Sequence, residues 1–210
     1  MNFPEIKFIF FDFGKVIVNF DHQHACENVA RLADVSADAV NKALYESGLQ
    51  NEYEIGTVDS DEFAKRLNQS LNCELSVEQI CLAISDIFSL NAPIMPLITQ
   101  LALADFPIGV LSNTCEAHWN FVLERWPTIR YFFAPQRRVL SYEQGVAKPD
   151  PKIYQAAIET AGVAAENIFF LDDLPDNVAG AQSVSIQAEP YQSTNQIVKC
   201  LIDRNIRINL

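Results

Sequence analysis

Apolar residues in this chain follow two rhythms. Short unbroken runs at Lys7 to Phe11, Ile108 to Leu111 and Ile168 to Leu171 are bounded by turn or polar residues, and each precedes a polar cluster. Runs of this kind read as strands buried on both faces of a parallel sheet. Two more strands are expected at Arg138 to Ser141 and Ser185 to Ala188. Helical periodicity fills the intervals, over Glu116 to Trp126, Pro151 to Ala161 closed by Gly162, and Asp176 to Gln182, with a closing helix from Ser193 to Asn205. Strand alternating with helix predicts an open α/β sheet. From Phe20 to about Leu90 the strand signal vanishes and helix signals take over: Ser76 with Gln79 and Asp59 with Glu62 resemble capping boxes, and Gly48 sits where a helix stops. Residues 19–90 are therefore expected to form a helical insertion, with residues 1–18 and 91–210 forming the core. An insertion that leaves after the first strand and returns before the second sits over the carboxyl edge of the sheet, where open α/β folds bind ligands. It reads as a lid.

Composition narrows the class. With 49% hydrophobic residues in 210, the chain can bury a sizeable core. Its 27 acidic and 15 basic residues leave a net charge of -12, which disfavours nucleic acid as a partner. Cys26, Cys73, Cys81, Cys115 and Cys200 are scattered and odd in number, and fit reduced thiols in a cytoplasmic protein better than a disulfide framework or a zinc site. The N-terminal residues show no export leader. The uncharged stretch from Ile87 to Ala104 is interrupted by Pro93, Pro96, Asn91 and Gln100, so it fails as a membrane span and no membrane partner is expected.

Four polar clusters carry the candidate chemistry. Asp12 ends the first apolar run beside Gly14, a position from which a carboxylate can attack phosphorus and form an aspartyl phosphate. Ser112-Asn113-Thr114 follows the second run, where a hydroxyl and backbone amides can hold phosphate oxygens. Lys148 stands ahead of a helix opened by prolines and can steady both Asp12 and a substrate phosphate. Asp172 and Asp173 follow the third run. Carboxylates brought to about 5 Å repel by roughly 3 kcal/mol per pair at an effective dielectric near 20, so a cation is required and Mg2+ is the natural choice. Asn177 is placed to orient these acids, and Asp176 to cap a helix. Taken singly, each cluster also fits a structural role: a strand-end acid, a helix cap, a surface lysine, a solvated acid pair. Their order along the chain is what points to phosphoryl transfer.

In that order, Phe11-Asp12-Phe13-Gly14, Leu111-Ser112-Asn113-Thr114, Lys148-Pro149 and Leu171-Asp172-Asp173 resemble the four motifs of the haloacid dehalogenase superfamily, over essentially the whole chain. The likeness is closest to a bacterial branch of small sugar-phosphate phosphatases that includes alpha-D-glucose-1-phosphate phosphatases. The resemblance implies a Rossmann-like parallel sheet core with an inserted helical cap. It also implies Mg2+ held by Asp12, the main-chain carbonyl of Gly14 and Asp173, with Asp172 and Asn177 nearby, and a small phosphorylated metabolite as substrate, bound through Ser112, Asn113 and Lys148. One departure stands out. Most phosphatases of the superfamily carry a second aspartate, the general acid and base, where this chain has Gly14. His118, His22 and His24 are candidate substitutes. Two rival readings follow from the same comparison: a pseudo-phosphatase that binds without turnover, and a metal-free 2-haloacid dehalogenase, against which the Asp172-Asp173 pair counts.

Overall fold

The computed structural model describes residues 3–133 and 135–208; the expected core ends at residues 1, 2, 209 and 210 lie outside the described residues. The strands are β1 (Phe8–Phe11), β2 (Val18–Phe20), β3 (Phe88–Leu90), β4 (Ile108–Ser112), β5 (Arg138–Leu140), β6 (Ile168–Asp172) and β7 (Gln187–Pro190). Five of them form a parallel sheet in the order β5-β4-β1-β6-β7. The α-helices are α1 (His22–Ala33), α2 (Ala37–Asn41), α3 (Leu49–Glu54), α4 (Ser60–Leu71), α5 (Val77–Ser85), α6 (Met95–Leu103), α7 (Glu116–Arg125), α8 (Pro127–Phe132), α9 (Ser141–Gln144), α10 (Pro151–Ala161), α11 (Pro175–Ser183) and α12 (Thr194–Asp203). Among the described residues, no helix is long and apolar enough to cross a membrane.

Alternation along β1 builds two apolar layers. Ile9 and Phe11 join one, with Leu97 and Ile98 of α6, Trp119 and Val122 of α7, and Ile197 and Leu201 of α12. Phe8 and Phe10 join the other, with Ile153 and Tyr154 of α10 and Val178 and Ala181 of α11. β6 divides in the same way, Phe169 and Leu171 against Ile168 and Phe170. Each buried Val, Leu, Ile or Phe side chain among them contributes about 1.5 to 3 kcal/mol, so the alternation pins the register that places Asp12 and Asp172 at one sheet edge.

The helices α1 to α5 have an apolar cluster of their own, built on Val29, Leu44, Tyr53, Phe63, Leu67 and Ile80, and Cys115 and Ala117 at the start of α7 belong to it. Ser76 and Gln79 form a reciprocal capping box at α5. Asp59 bonds the Glu62 amide at α4, and Gly48 takes a left-handed φ of 83° between a π-helical turn (Lys42–Glu46) and α3.

Three expectations change. A two-stranded antiparallel ribbon, Val18 paired with Leu90 and Phe20 with Phe88, carries the chain out to these helices and back. Three-residue strands are too short to show alternation in sequence. Ser141 is not strand but the first residue of α9. Ser185 does not open β7, because it holds a left-handed φ of 69° in the turn after α11, and pairing starts at Gln187.

Candidate active site

The parallel register delivers Asp12 and Asp172 side by side. Phe11 pairs with Leu171, and the Asp12 amide bonds the Leu171 carbonyl at 2.8 Å. Asp12 Oδ1 accepts the Phe13 amide at 2.6 Å and lies 2.8 Å from Lys148 Nζ. Burial pushes the Asp12 carboxyl up to about 7 despite the Lys148 ammonium, and the neighbouring Asp172 carboxylate adds to the rise.

Lys148 is buried and uses all three ammonium protons, on Asp12, on Asp172 Oδ2 at 2.6 Å and on the Leu111 carbonyl at 3.1 Å. Burial opposes its charge, but the two carboxylates outweigh burial and hold its pKa above the ordinary lysine value. Its main chain is fixed as well. Asn113 Nδ2 donates to the Lys148 carbonyl at 2.9 Å, and Asn113 Oδ1 accepts the Lys148 amide at 2.7 Å. The Asn113 amide therefore positions the lysine. Ser112 is buried at the end of β4 with its hydroxyl on the Asn113 carbonyl at 3.2 Å.

Asp172 is fully buried and saturated. Its Oδ1 accepts the Leu174 amide at 2.8 Å, and Asn177 Nδ2 reaches both carboxylate oxygens at 3.1 and 3.0 Å. Asn177 thus orients Asp172, which orients Lys148. Asp176 makes no cap: it lies in the first turn of α11, whose N-cap, Leu174, carries no side-chain bond. Asp173 is half-buried and its pKa is raised, by desolvation first and then by the Asp172 charge.

Oxygens of Asp12, Asp172 and Asp173 all lie within 4.8 Å of one another. Three carboxylates crowd around the Lys148 ammonium, and burial first, then the Asp172 charge, raises the pKa of Asp12 and of Asp173. An oxygen-only set with this charge fits a hard divalent cation such as Mg2+. Because Asp172 is already saturated, the available ligands are Asp12, Asp173 and main-chain oxygen.

Above this cluster opens a cavity of about 380 Å³, lined by Gly14, Lys15, Asn113, Thr114 and Asp173 of the core, by His22 and Glu54 of the inserted helices, and by an apolar wall that includes Phe20 and Phe88. Asp12, Ser112, Lys148 and Asp172 are buried and are not part of that lining. Of the three histidines, His22 and His118 line this cavity. Burial drives His118 down to about 4, and its Nε2 is within 3.2 Å of the Ile84 carbonyl. His22 Nδ1 bonds the Tyr45 hydroxyl at 2.9 Å, and burial and then Lys15 lower its pKa. His24 faces a different cleft, with Asn19, Asp21 and Asp86. Glu54, Lys15 and Ser141 were not singled out in the sequence; an acid at the end of a short helix carries no motif that would flag it.

A family model described as haloacid dehalogenase-like hydrolase matches residues 6–185. A curated relative, the D-ribitol-5-phosphate phosphatase of Bacteroides thetaiotaomicron, is 31% identical over 180 residues, which cover 82% of this chain and 85% of that protein. A HAD family enzyme of the same organism, solved in complex with magnesium and inorganic phosphate, superposes with a TM-score of 0.78 at 26% identity and covers 90% of this chain and 95% of its own. A predicted HAD-like family hydrolase from Porphyromonas gingivalis shares the fold, with a TM-score of 0.81 at 23% identity over 98% of this chain and 100% of that one.

Proposed function

The chain belongs to the haloacid dehalogenase-like hydrolases, and from that premise we propose that it is a Mg2+-dependent phosphatase of small phosphorylated metabolites, sugar and sugar-alcohol phosphates foremost, working through an aspartyl phosphate at Asp12. The observation that carries this reading is the Asp12 carboxylate, held at the end of β1 against Lys148 and within reach of Asp172 and Asp173. Asp12, the Gly14 carbonyl and Asp173 would hold the metal, which when bound neutralises phosphate charge and the surplus carboxylates.

The chain's own residues supply the rest. Asp12 attacks phosphorus, and its bonds to the Phe13 amide and Lys148 aim the carboxylate while both favour its ionised form. Lys148, held by Asp172 and Asn113, places a fixed positive charge where phosphate oxygens gather. Ser112 and the chain at Asn113 and Thr114 hold the phosphate after one of their present bonds is exchanged. Helices α1 to α5 act as a cap that keeps water from the first step and selects the leaving group with Glu54, His22 and Phe20. The five unpaired cysteines support a cytoplasmic setting.

A panel of sugar phosphates, sugar-alcohol phosphates, nucleotides and phosphoglycolate, assayed for phosphate release with Mg2+ and with excess chelator, tests the reading. Release that needs Mg2+ is expected, and no release from any member overturns it. Asp12→Asn is expected to abolish turnover while leaving thermal unfolding close to the wild type; retained turnover refutes the nucleophile.

A further inference from the structure

Cleaving an alkyl phosphate requires a proton for the departing oxygen, and hydrolysing the enzyme-bound phosphate requires a group to take one from water. On the phosphatase reading, on which this inference rests, the residues around Asp12 leave that task to few groups. Gly14 has no side chain, and a Cβ there would lie 2.7 Å from Phe20 Cε1, so an aromatic edge occupies the space beside it. Lys148 has three acceptors for three protons. Burial lowers the pKa of both His118 and His22, which weakens each as a proton donor, and each has a ring nitrogen already in a hydrogen bond. Asp173 is claimed by the metal.

Glu54 remains. It is the last residue of α3, and it shares the cavity wall with Gly14, Asp173 and Thr114. Its placement is not left to a loose loop. Ser141 Oγ accepts the Thr114 amide at 2.9 Å and donates to the Glu54 main-chain oxygen, clamping the end of α3 to the loop after β4. Two residues on, Gly56 has φ +68°, and a Cβ there would sit 2.3 Å from the Tyr142 carbonyl, so the cap backbone lies directly against the core. The carboxyl is gripped by Gln50 Nε2, which donates to Oε1 at 3.0 Å, and Oε2 has no hydrogen-bond partner among the described residues. Burial holds the Glu54 proton to a higher pH than an ordinary glutamate, with the Gln50 bond opposing. The groups around it are the Tyr45 hydroxyl and Cys115 thiol, which both feel its charge, and His22, His118, Lys15 and Asp173 on the cavity wall.

We propose that Glu54 is the catalytic acid and base of this site, supplied by the cap because position 14 cannot supply it. In the first step the bond between Asp12 Oδ and phosphorus forms, the bond from phosphorus to the leaving oxygen breaks, and the Glu54 proton goes to the departing alkoxide. In the second a water oxygen bonds phosphorus, its proton goes to the Glu54 carboxylate, and the Asp12–phosphorus bond breaks to release phosphate.

Glu54→Gln keeps the shape and the Gln50 contact while removing the transferable proton. With an alkyl phosphate that the wild type hydrolyses, kcat is expected to fall by about 10² to 10⁴ with KM within about threefold. With p-nitrophenyl phosphate, whose leaving group departs without a proton, the variant is expected to show a burst of about one p-nitrophenolate per site and then slow turnover, because the second step lacks its base. Glu54→Ala is expected to regain turnover with added formate, a result packing alone does not produce. A kcat within about threefold of the wild type in Glu54→Gln, or a loss confined to KM, overturns the assignment while the phosphatase reading stands. A wild type that hydrolyses no phosphate overturns both.

Discussion

Lys148 spends its three protons on Asp12, Asp172 and the Leu111 carbonyl, so it is a structural member of the site as much as a chemical one. Removing one partner of a buried ion pair leaves an uncompensated charge and costs about 3 to 5 kcal/mol. Lys148→Met is therefore expected to lose stability of that order in urea unfolding, together with turnover, and a variant of unchanged midpoint would show that the acids are relieved in some other way. His118 offers a titration apart from Asp12, Asp172 and Asp173. Its folded pKa is about 4 against an ordinary 6.5, so as pH falls below 6.5 the unfolded chain takes up the proton first. Stability gained from keeping the ring neutral is full above 6.5 and lost towards 4, roughly 2 kcal/mol by pH 5. The unfolding free energy of the wild type is expected to drop between pH 7 and pH 5 by about that much more than that of His118→Gln, measured by denaturant titration at both values. Equal drops would reassign the loss to other groups.

Elements meet at one clasp. The Ser141 hydroxyl joins the end of α3 to the loop after β4, and Gly56 lets the backbone between α3 and α4 lie against Tyr142. Ser141→Ala strands a buried amide at Thr114 and frees the Glu54 carbonyl, which costs about 1 to 3 kcal/mol. Because the clasp holds Glu54, a fall in kcat is expected to accompany the loss of stability; full kcat in a destabilised variant would separate clasp from chemistry. Among these elements, the sheet strands were legible because β1, β4 and β6 are buried on both faces and announce themselves as unbroken apolar runs. The caps at Ser76 and Asp59 were legible because capping chemistry is local. The β2–β3 ribbon was not, since its pairing joins residues about 70 positions apart by main-chain bonds that leave no pattern in three residues.

For the whole molecule, two apolar layers set the sheet and a third cluster sets the inserted helices, with the cavity where they meet. Mg2+ at about 100 times its Kd stabilises a folded state that alone binds it by about 2.7 kcal/mol. For a chain of this size that raises Tm by roughly 5 to 10 °C. Asp173→Ala is expected to erase the rise in a thermal shift assay, and an undiminished rise would place the ion elsewhere. By itself the sequence determined the α/β alternation, the acids at strand ends and their order, because burial pattern, strand-end position and side-chain chemistry are properties of short segments. Only tertiary structure decided that Asn113 serves the Lys148 main chain, that Asp172 is saturated, that Phe20 fills the space at Gly14, and that Glu54 stands on the cavity wall. Those facts depend on which atoms from distant segments come within about 3 Å of one another. Packing selects those neighbours, and no local pattern encodes them.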